Sequence, residues 1–260
     1  GAIAIRDKDQ VSITSTSISD NTAVNGVGGA IVNDNTTGTG SFAITNSSLD
    51  NNTATEGGAI YTTANSLSTI FSAGIDDNEA TDGDGGALYI GNNATVTIEQ
   101  VGLRRNEADD QGGAIYYDAD RPLVIDNVTF ESNLADSDGG AIANNSDSAT
   151  LSIADTDFLT NITQEEGGAL FAGADTNTVV NSSNFQGNRA EGAASNGGAI
   201  AGNRTGELSL ADTNLINNYA TRAGGGIFLR DDSEATVSCT LTLDAEGRAL
   251  TTTSRCEGNN

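Results

Sequence analysis

Apolar residues in this chain come in short alternating runs. Val11 and Ile13, Phe42 and Ile44, Val96 and Ile98, Leu151 and Ile153, and Leu208 and Leu210 each sit two apart. A period of two puts both apolar side chains on one face of a strand. Helical spacing is absent, and Ser, Thr, Asn and Gly fill the connections, so the chain reads as strands and turns throughout.

The runs belong to a repeat. Gly-Gly-Ala-Ile, or a near variant, begins at Gly28, Gly57, Gly85, Gly112, Gly139, Gly167, Gly197 and Gly224, at intervals of 27–30 residues. Each copy is preceded by an apolar residue, two variable residues and Asn. The eight Asn are Asn21, Asn52, Asn78, Asn106, Asn133, Asn161, Asn188 and Asn218. The alternating runs end five residues before the apolar residue of this signature, so register is kept. Each repeat thus offers three strand candidates, and none can bury its apolar face alone. Stacking places every strand beside its own copy, about 4.8 Å away. The expected fold is all-β, a right-handed parallel β-helix solenoid of about eight coils of 27–30 residues, forming one domain over 1–260. Such a rod would be roughly 40 Å long. Its hand follows from the general chirality of parallel crossovers.

The pairing of Gly-Gly-Ala-Ile with Phe-x-x-Asn, as at Phe130–Asn133 and Gly139–Ile142, resembles the repeats of the chlamydial polymorphic outer-membrane proteins. Similar repeats occur in many bacterial and archaeal surface proteins. The resemblance covers nearly the whole chain. It implies a β-helical passenger displayed outside the cell, often adhesive. Leu or Ile often stands in place of Phe, and no membrane barrel follows, so neither autotransport nor a particular receptor is implied.

The Asn column reads as a structural ladder, because stacked amides can hydrogen-bond along the column and to turn backbone. The double glycines read as tight turns or close approaches between coils. In the strand after them, Ile31, Ile60, Leu88, Ile115, Ile142, Leu170, Ile200 and Ile227 should face the core, with both flanking positions facing outward. One flank is nearly always Ala. The other carries Tyr61, Tyr89, Tyr116, Phe171 and Phe228 among Val32, Ala143 and Ala201. A sheet apolar on both faces is normally covered on both. A second copy, a carbohydrate or a neighbouring domain would fit, as would an exposed face with no partner. The flat seam expected from the Ala residues favours protein.

The gap from the repeated Asn to the first Gly varies between 5 and 9 residues, which makes this turn the place for functional variation. It is rich in carboxylates: Asp82 and Asp84, Asp109 and Asp110, Asp136 and Asp138, then Glu165 and Glu166. Stacked like charges repel unless solvated or neutralised. Either the edge is simply hydrated, or Ca²⁺ binds between neighbouring turns; no other cofactor is expected.

Charge and composition narrow the function. The net charge is −25 and Lys8 is the only lysine, which argues against nucleic acid and against contact with an anionic membrane. No apolar run is long enough for a membrane span, and no signal peptide is visible at the start. Histidine is absent, removing the usual general base, and Arg104, Arg105, Arg121 and Arg189 are scattered across coils. Catalysis is therefore not expected, a polysaccharide lyase or hydrolase being the rival reading. Cys239 and Cys256 read as a disulfide closing a C-terminal cap over 237–260, which implies an oxidising compartment; two unpaired thiols are the alternative. Sequons are numerous, and Asn161, being a ladder residue, should be inaccessible. The expected protein is an extracellular or cell-surface rod, non-enzymatic, serving adhesion to a host protein or glycan. The alternative is a filament or sheath subunit associating end to end or laterally. That alternative is motivated by a chain that opens mid-repeat at Gly1-Ala2-Ile3.

Overall fold

The computed structural model describes residues 1–6, 9–34, 40–63, 65–147, 149–203, 207–230 and 235–238. It is an all-β parallel solenoid of about eight turns. Four sheets run its length. Sheet A has nine strands, from Ile3–Ile5 to Ile227–Arg230, each after the first following a Gly-Gly pair. Sheet B has nine, from Gln10–Thr14 to Ala235–Ser238, and holds the alternating runs. Sheet C has eight, from Ser17–Ser19 to Asn214–Ile216, and carries the apolar residue of the Asn signature. Sheet D, a fourth set the apolar pattern did not announce, has seven two-residue strands, from Thr53–Ala54 to Tyr219–Ala220. Two residues show no periodicity, which is why only three candidates were visible per repeat. The predicted cap lies outside the described residues apart from 237–238, and Cys239 and Cys256 lie outside with it.

Register is the repeat made physical. Ile60, Leu88, Ile115 and Ile142 pair in sequence along sheet A, and Leu103, Phe130, Phe158 and Phe185 along sheet C. Identical side chains stack in the interior: the Phe130 and Phe158 rings lie 4.9 Å apart, Phe158 and Phe185 4.3 Å, both near parallel. Such offset stacks add to burial energy.

Three bends per coil fold the strands around this core, each using a left-handed residue. Asp20, Asn51, Asp77, Arg105, Ser132 and Thr160 have φ between 52° and 59° and stand just before the ladder Asn. Asn, Asp and Ser tolerate this region best, and other residues need compensation. The ladder supplies it. Asn133 Nδ2 donates to Asn161 Oδ1 at 2.9 Å and to the Leu103 carbonyl at 3.0 Å, and its N–H donates to Asn161 Oδ1 at 3.0 Å. Its own Oδ1 accepts from Asn106 N–H and Nδ2, each at 3.0 Å. The same pattern runs from Asn21 to Asn218.

The two glycines of each pair are required for different reasons. Gly112 has φ +67°, and a Cβ there would meet the Ile115 carbonyl oxygen at 2.3 Å. Gly113 lies outside the left-handed region, but a Cβ there would meet the Gly140 carbonyl oxygen at 2.3 Å, in the next coil. The Ala that follows corrects the expectation that it faces outward: Ala30, Ala59, Ala87, Ala114, Ala141, Ala169 and Ala199 are all within the core. The cause is local. The N–H groups of Ala114 and Ile115 both donate to the Ala141 carbonyl, at 3.0 and 2.8 Å, so alternation begins only at the Ile.

The ladder gives an asymmetric prediction. Asn133→Leu strands two buried donors of Asn106, each costing about 1–3 kcal/mol. Among the described residues no group donates to the Asn21 side chain, so in this chain Asn21→Leu strands no donor. Urea unfolding should show Asn133→Leu losing several-fold more stability than Asn21→Leu; equal losses would show that the ladder is not a linked chain.

Candidate functional site

Beyond the bend at the Ala, burial alternates in the sheet A strands that carry Tyr61, Tyr89 and Tyr116. In Ile115–Tyr117 the first and third side chains are fully buried and Tyr116 points out, half-buried. Register then stacks the outward residues. The rings of Tyr61 and Tyr89 lie 4.7 Å apart and those of Tyr89 and Tyr116 5.1 Å, both pairs stacked. Burial raises all three hydroxyls above the ordinary tyrosine range, Tyr116 to about 12; neighbouring groups, including Glu56 beside Tyr61 and Asp84 and Asp118 beside Tyr116, raise them further. Phe171 and Phe228 continue the column by register, though Phe171 is only 6 % exposed.

The column is not the flat seam its Ala residues implied. It lies between two rows of turns. On one side stand the residues just before each Gly-Gly pair, among them Glu56, Asp84, Gln111, Asp138, Glu166 and Asn196. On the other stand residues closing each sheet A strand, among them Asp118 and Asn145. Where the column lacks a ring, polar side chains cross it. Asn145 Nδ2 donates to Gln111 Oε1 at 2.8 Å beside Ala143, which is fully buried. Two coils on, where Ala201 is also fully buried, Arg230 pairs with Glu166, and Asn196 Nδ2 donates to the same Glu166 Oε1 at 2.8 Å.

The acidic turn residues divide into two sets. Asp84 and Asp138 turn toward the column and cap backbone of the next coil: Asp84 Oδ1 accepts the Gln111 N–H at 3.0 Å, Asp138 Oδ1 the Glu166 N–H at 2.9 Å. Burial, the largest cause, pushes their carboxyls up to about 6 and about 7, despite those hydrogen bonds. Asp82, Asp109, Asp110 and Asp136 are exposed. Asp109 is raised by burial and then by repulsion from Asp136 and Asp82. Among the described residues no three carboxylates gather closely enough to hold a metal ion.

A cleft of about 340 Å³ opens near the Arg230 crossing. Asp138, Phe171, the turn 164–166, residues 193–195, Asn203 and Arg230 line it. Sequence reading marked the acids and Phe171 but missed Ser195, Asn203 and Arg230. One signal pointed there: the gap from Asn188 to Gly197, nine residues, is the longest of the eight, and it supplies the wall 193–195.

The arginines considered for a lyase are held elsewhere. Arg105 forks onto Asp77 at 2.8 and 2.7 Å, Arg104 lies 3.4 Å from Glu131, and Arg189 pairs with Glu191 and lies over the Tyr219 ring. Asn161 and Asn144, both sequon residues, are fully buried.

The two capping carboxyls make stability depend on pH. Their folded pKa values lie above the ordinary carboxylate range, so the folded state holds protons the unfolded chain releases. Their contribution is present at about pH 4 and is lost as pH rises through about 6 to 7. The melting temperature should fall between pH 5 and pH 8, and Asp84→Asn with Asp138→Asn should flatten the fall while keeping an oxygen for each backbone N–H. An unchanged slope in that double variant would assign the dependence to overall charge alone.

Two segments, residues 46–63 and 127–145, match the family model of the Chlamydia polymorphic membrane protein repeat. Each contains one complete pairing of the Asn signature with a double glycine, Asn52 with Gly57 and Asn133 with Gly139. No curated protein and no solved structure matches the chain. With the parallel solenoid, the repeat supports a surface-associated β-helical protein.

Proposed function

We propose that this chain is a stiff, non-enzymatic, extracellular or cell-surface rod that adheres to a partner through the outer face of sheet A. One observation carries the reading: the turn that varies most in length from coil to coil stands beside the outward column where, among the described residues, aromatic rings stack. Constant ladders elsewhere make a scaffold, and variation at that face makes a surface on which recognition can change. Half-buried tyrosines are suited to partner contact, because a large rigid ring loses little conformational freedom on binding. The lack of histidine and the pairing of Arg104, Arg105 and Arg189 with carboxylates support a role without catalysis.

Electron microscopy of the purified chain, with and without millimolar Ca²⁺, should show dispersed short rods in both. Ordered fibres in either condition would make it a filament or sheath subunit, and fibres only with Ca²⁺ would bring the exposed acids Asp82, Asp109 and Asp136 into that contact. Beads coated with the rod should bind cells, and Tyr61→Ser with Tyr89→Ser should weaken binding several-fold while Leu67→Ser, on sheet B, leaves it intact. Equal loss from both variants sinks the assignment to sheet A. Uronic-acid polymers should not be cleaved with or without Ca²⁺; turnover would make this an enzyme.

A further inference from the structure

The cleft beside Arg230 differs in chemistry from the tyrosine column. Four successive coils build it, with Asp138 from the first and Arg230 from the last. Its volume of about 340 Å³ suits one long side chain or a small molecule rather than a length of chain. Ala193, Ala194 and Phe171 form an apolar portion, and Asp138, Glu165 and Glu166 a carboxyl portion.

Donors and acceptors are out of balance here. Among the described residues Arg230 is the one cation lining the cleft, and Glu166 already engages it. Asn196, which does not itself line the cleft, is 1 % exposed and donates its Nδ2 to Glu166 Oε1 at 2.8 Å, while among the described residues its Oδ1 has no partner. Three carboxyl groups repel an anion. A neutral polyol would satisfy lone pairs but leave the charge uncompensated in a partly desolvated site. A group with an apolar stem and a cationic tip answers both portions of the wall. The chain's net charge of −25 would also draw such a group toward it.

We propose that this cleft receives a lysine or arginine side chain presented by a partner protein lying along the outer face of sheet A. The assignment rests on the reading of that face as the contact surface and names the chemistry it selects. A single basic side chain in a walled pocket would act as an anchor, with the tyrosines making the broader contact. The groups facing Asp138 are Glu165 and Glu166, which hold its proton, and Arg230, which favours its release. An arriving cation favours the ionised carboxyl, so binding should tighten as pH rises from 6 to 8.

The probe is Nα-acetyl-lysine methylamide, titrated into the ¹⁵N-labelled full chain, with Nα-acetyl-norleucine methylamide as the uncharged control. Saturable shifts at the Glu166, Ser195 and Asn203 amides are expected from the lysine compound only, tighter at pH 8 than at pH 6. Asp138→Asn keeps an oxygen for the Glu166 N–H and should weaken binding about tenfold. An equal response to the norleucine compound, or no saturable shift at pH 8, overturns the assignment. Saturation by N-acetylglucosamine in place of the lysine compound would make this a sugar site and overturns it equally. Loss of lysine binding leaves the adhesive rod standing, whereas intact lysine binding with no cell attachment removes only the adhesive role.

Discussion

A parallel strand cannot satisfy its backbone within its own coil. Strand N–H groups within the sheets here donate to a neighbouring coil, and so do those at the double glycines: Gly85 N–H to Gln111, Gly112 to Asp138, Gly139 to Glu166. Each coil must therefore reproduce the path of its neighbour to within a hydrogen bond's tolerance. Once that holds, any side chain meets its own copy one step away, and what the copy does to itself decides which residues are allowed. Phe and Asn attract their copies, by ring stacking and by amide pairing. Asp and Glu repel theirs, and so are confined to places where water or a backbone N–H can take up the charge.

The same constraint explains the glycines. A left-handed bend recurs three times per coil, yet glycine dominates at only one of them. Before the ladder Asn, Arg105 and Thr160 hold φ of 52° and 53° because the adjacent amide column fixes the turn. At Gly112 the bend also brings the site of a side chain against the Ile115 carbonyl, and no hydrogen bond can relieve that contact. The second glycine answers to the neighbouring coil, since Gly113 packs on the backbone of Leu134 and Gly140. The sequence motif is thus two requirements written side by side, one on conformation and one on distance.

This division sets how much could be read from residues alone. Sheets A, B and C were legible because period-two burial and a fixed repeat length leave marks in the apolar pattern. Sheet D was not, since Thr53–Ala54 and its copies are too short to alternate. The orientation of the Ala after Gly-Gly was misread for a related reason: alternation presumes a regular strand, and the shared Ala141 carbonyl breaks it. The site was half legible. Tyr61, Tyr89 and Tyr116 followed from register, but the Gln111–Asn145 crossing joins residues 34 apart in different kinds of turn, which no repeat pattern marks.

Those crossings bear on why one face can vary while the rod stays whole. Removing a ring from the outer column, as at Ala143 and Ala201, would leave a trough above sheet A. Amide or ion pairs from the turns close it in place, using groups that need no copy in the next coil. The outer face is therefore released from the rule that binds the interior, that like must stack on like. Tyrosines can follow one another for three coils, an amide pair can follow them, and an insertion at 189–196 can wall a cleft further on, with the Asn ladder passing unbroken beneath all three. A scaffold that demands identity inside and tolerates difference on one face can change its outer surface while keeping its fold.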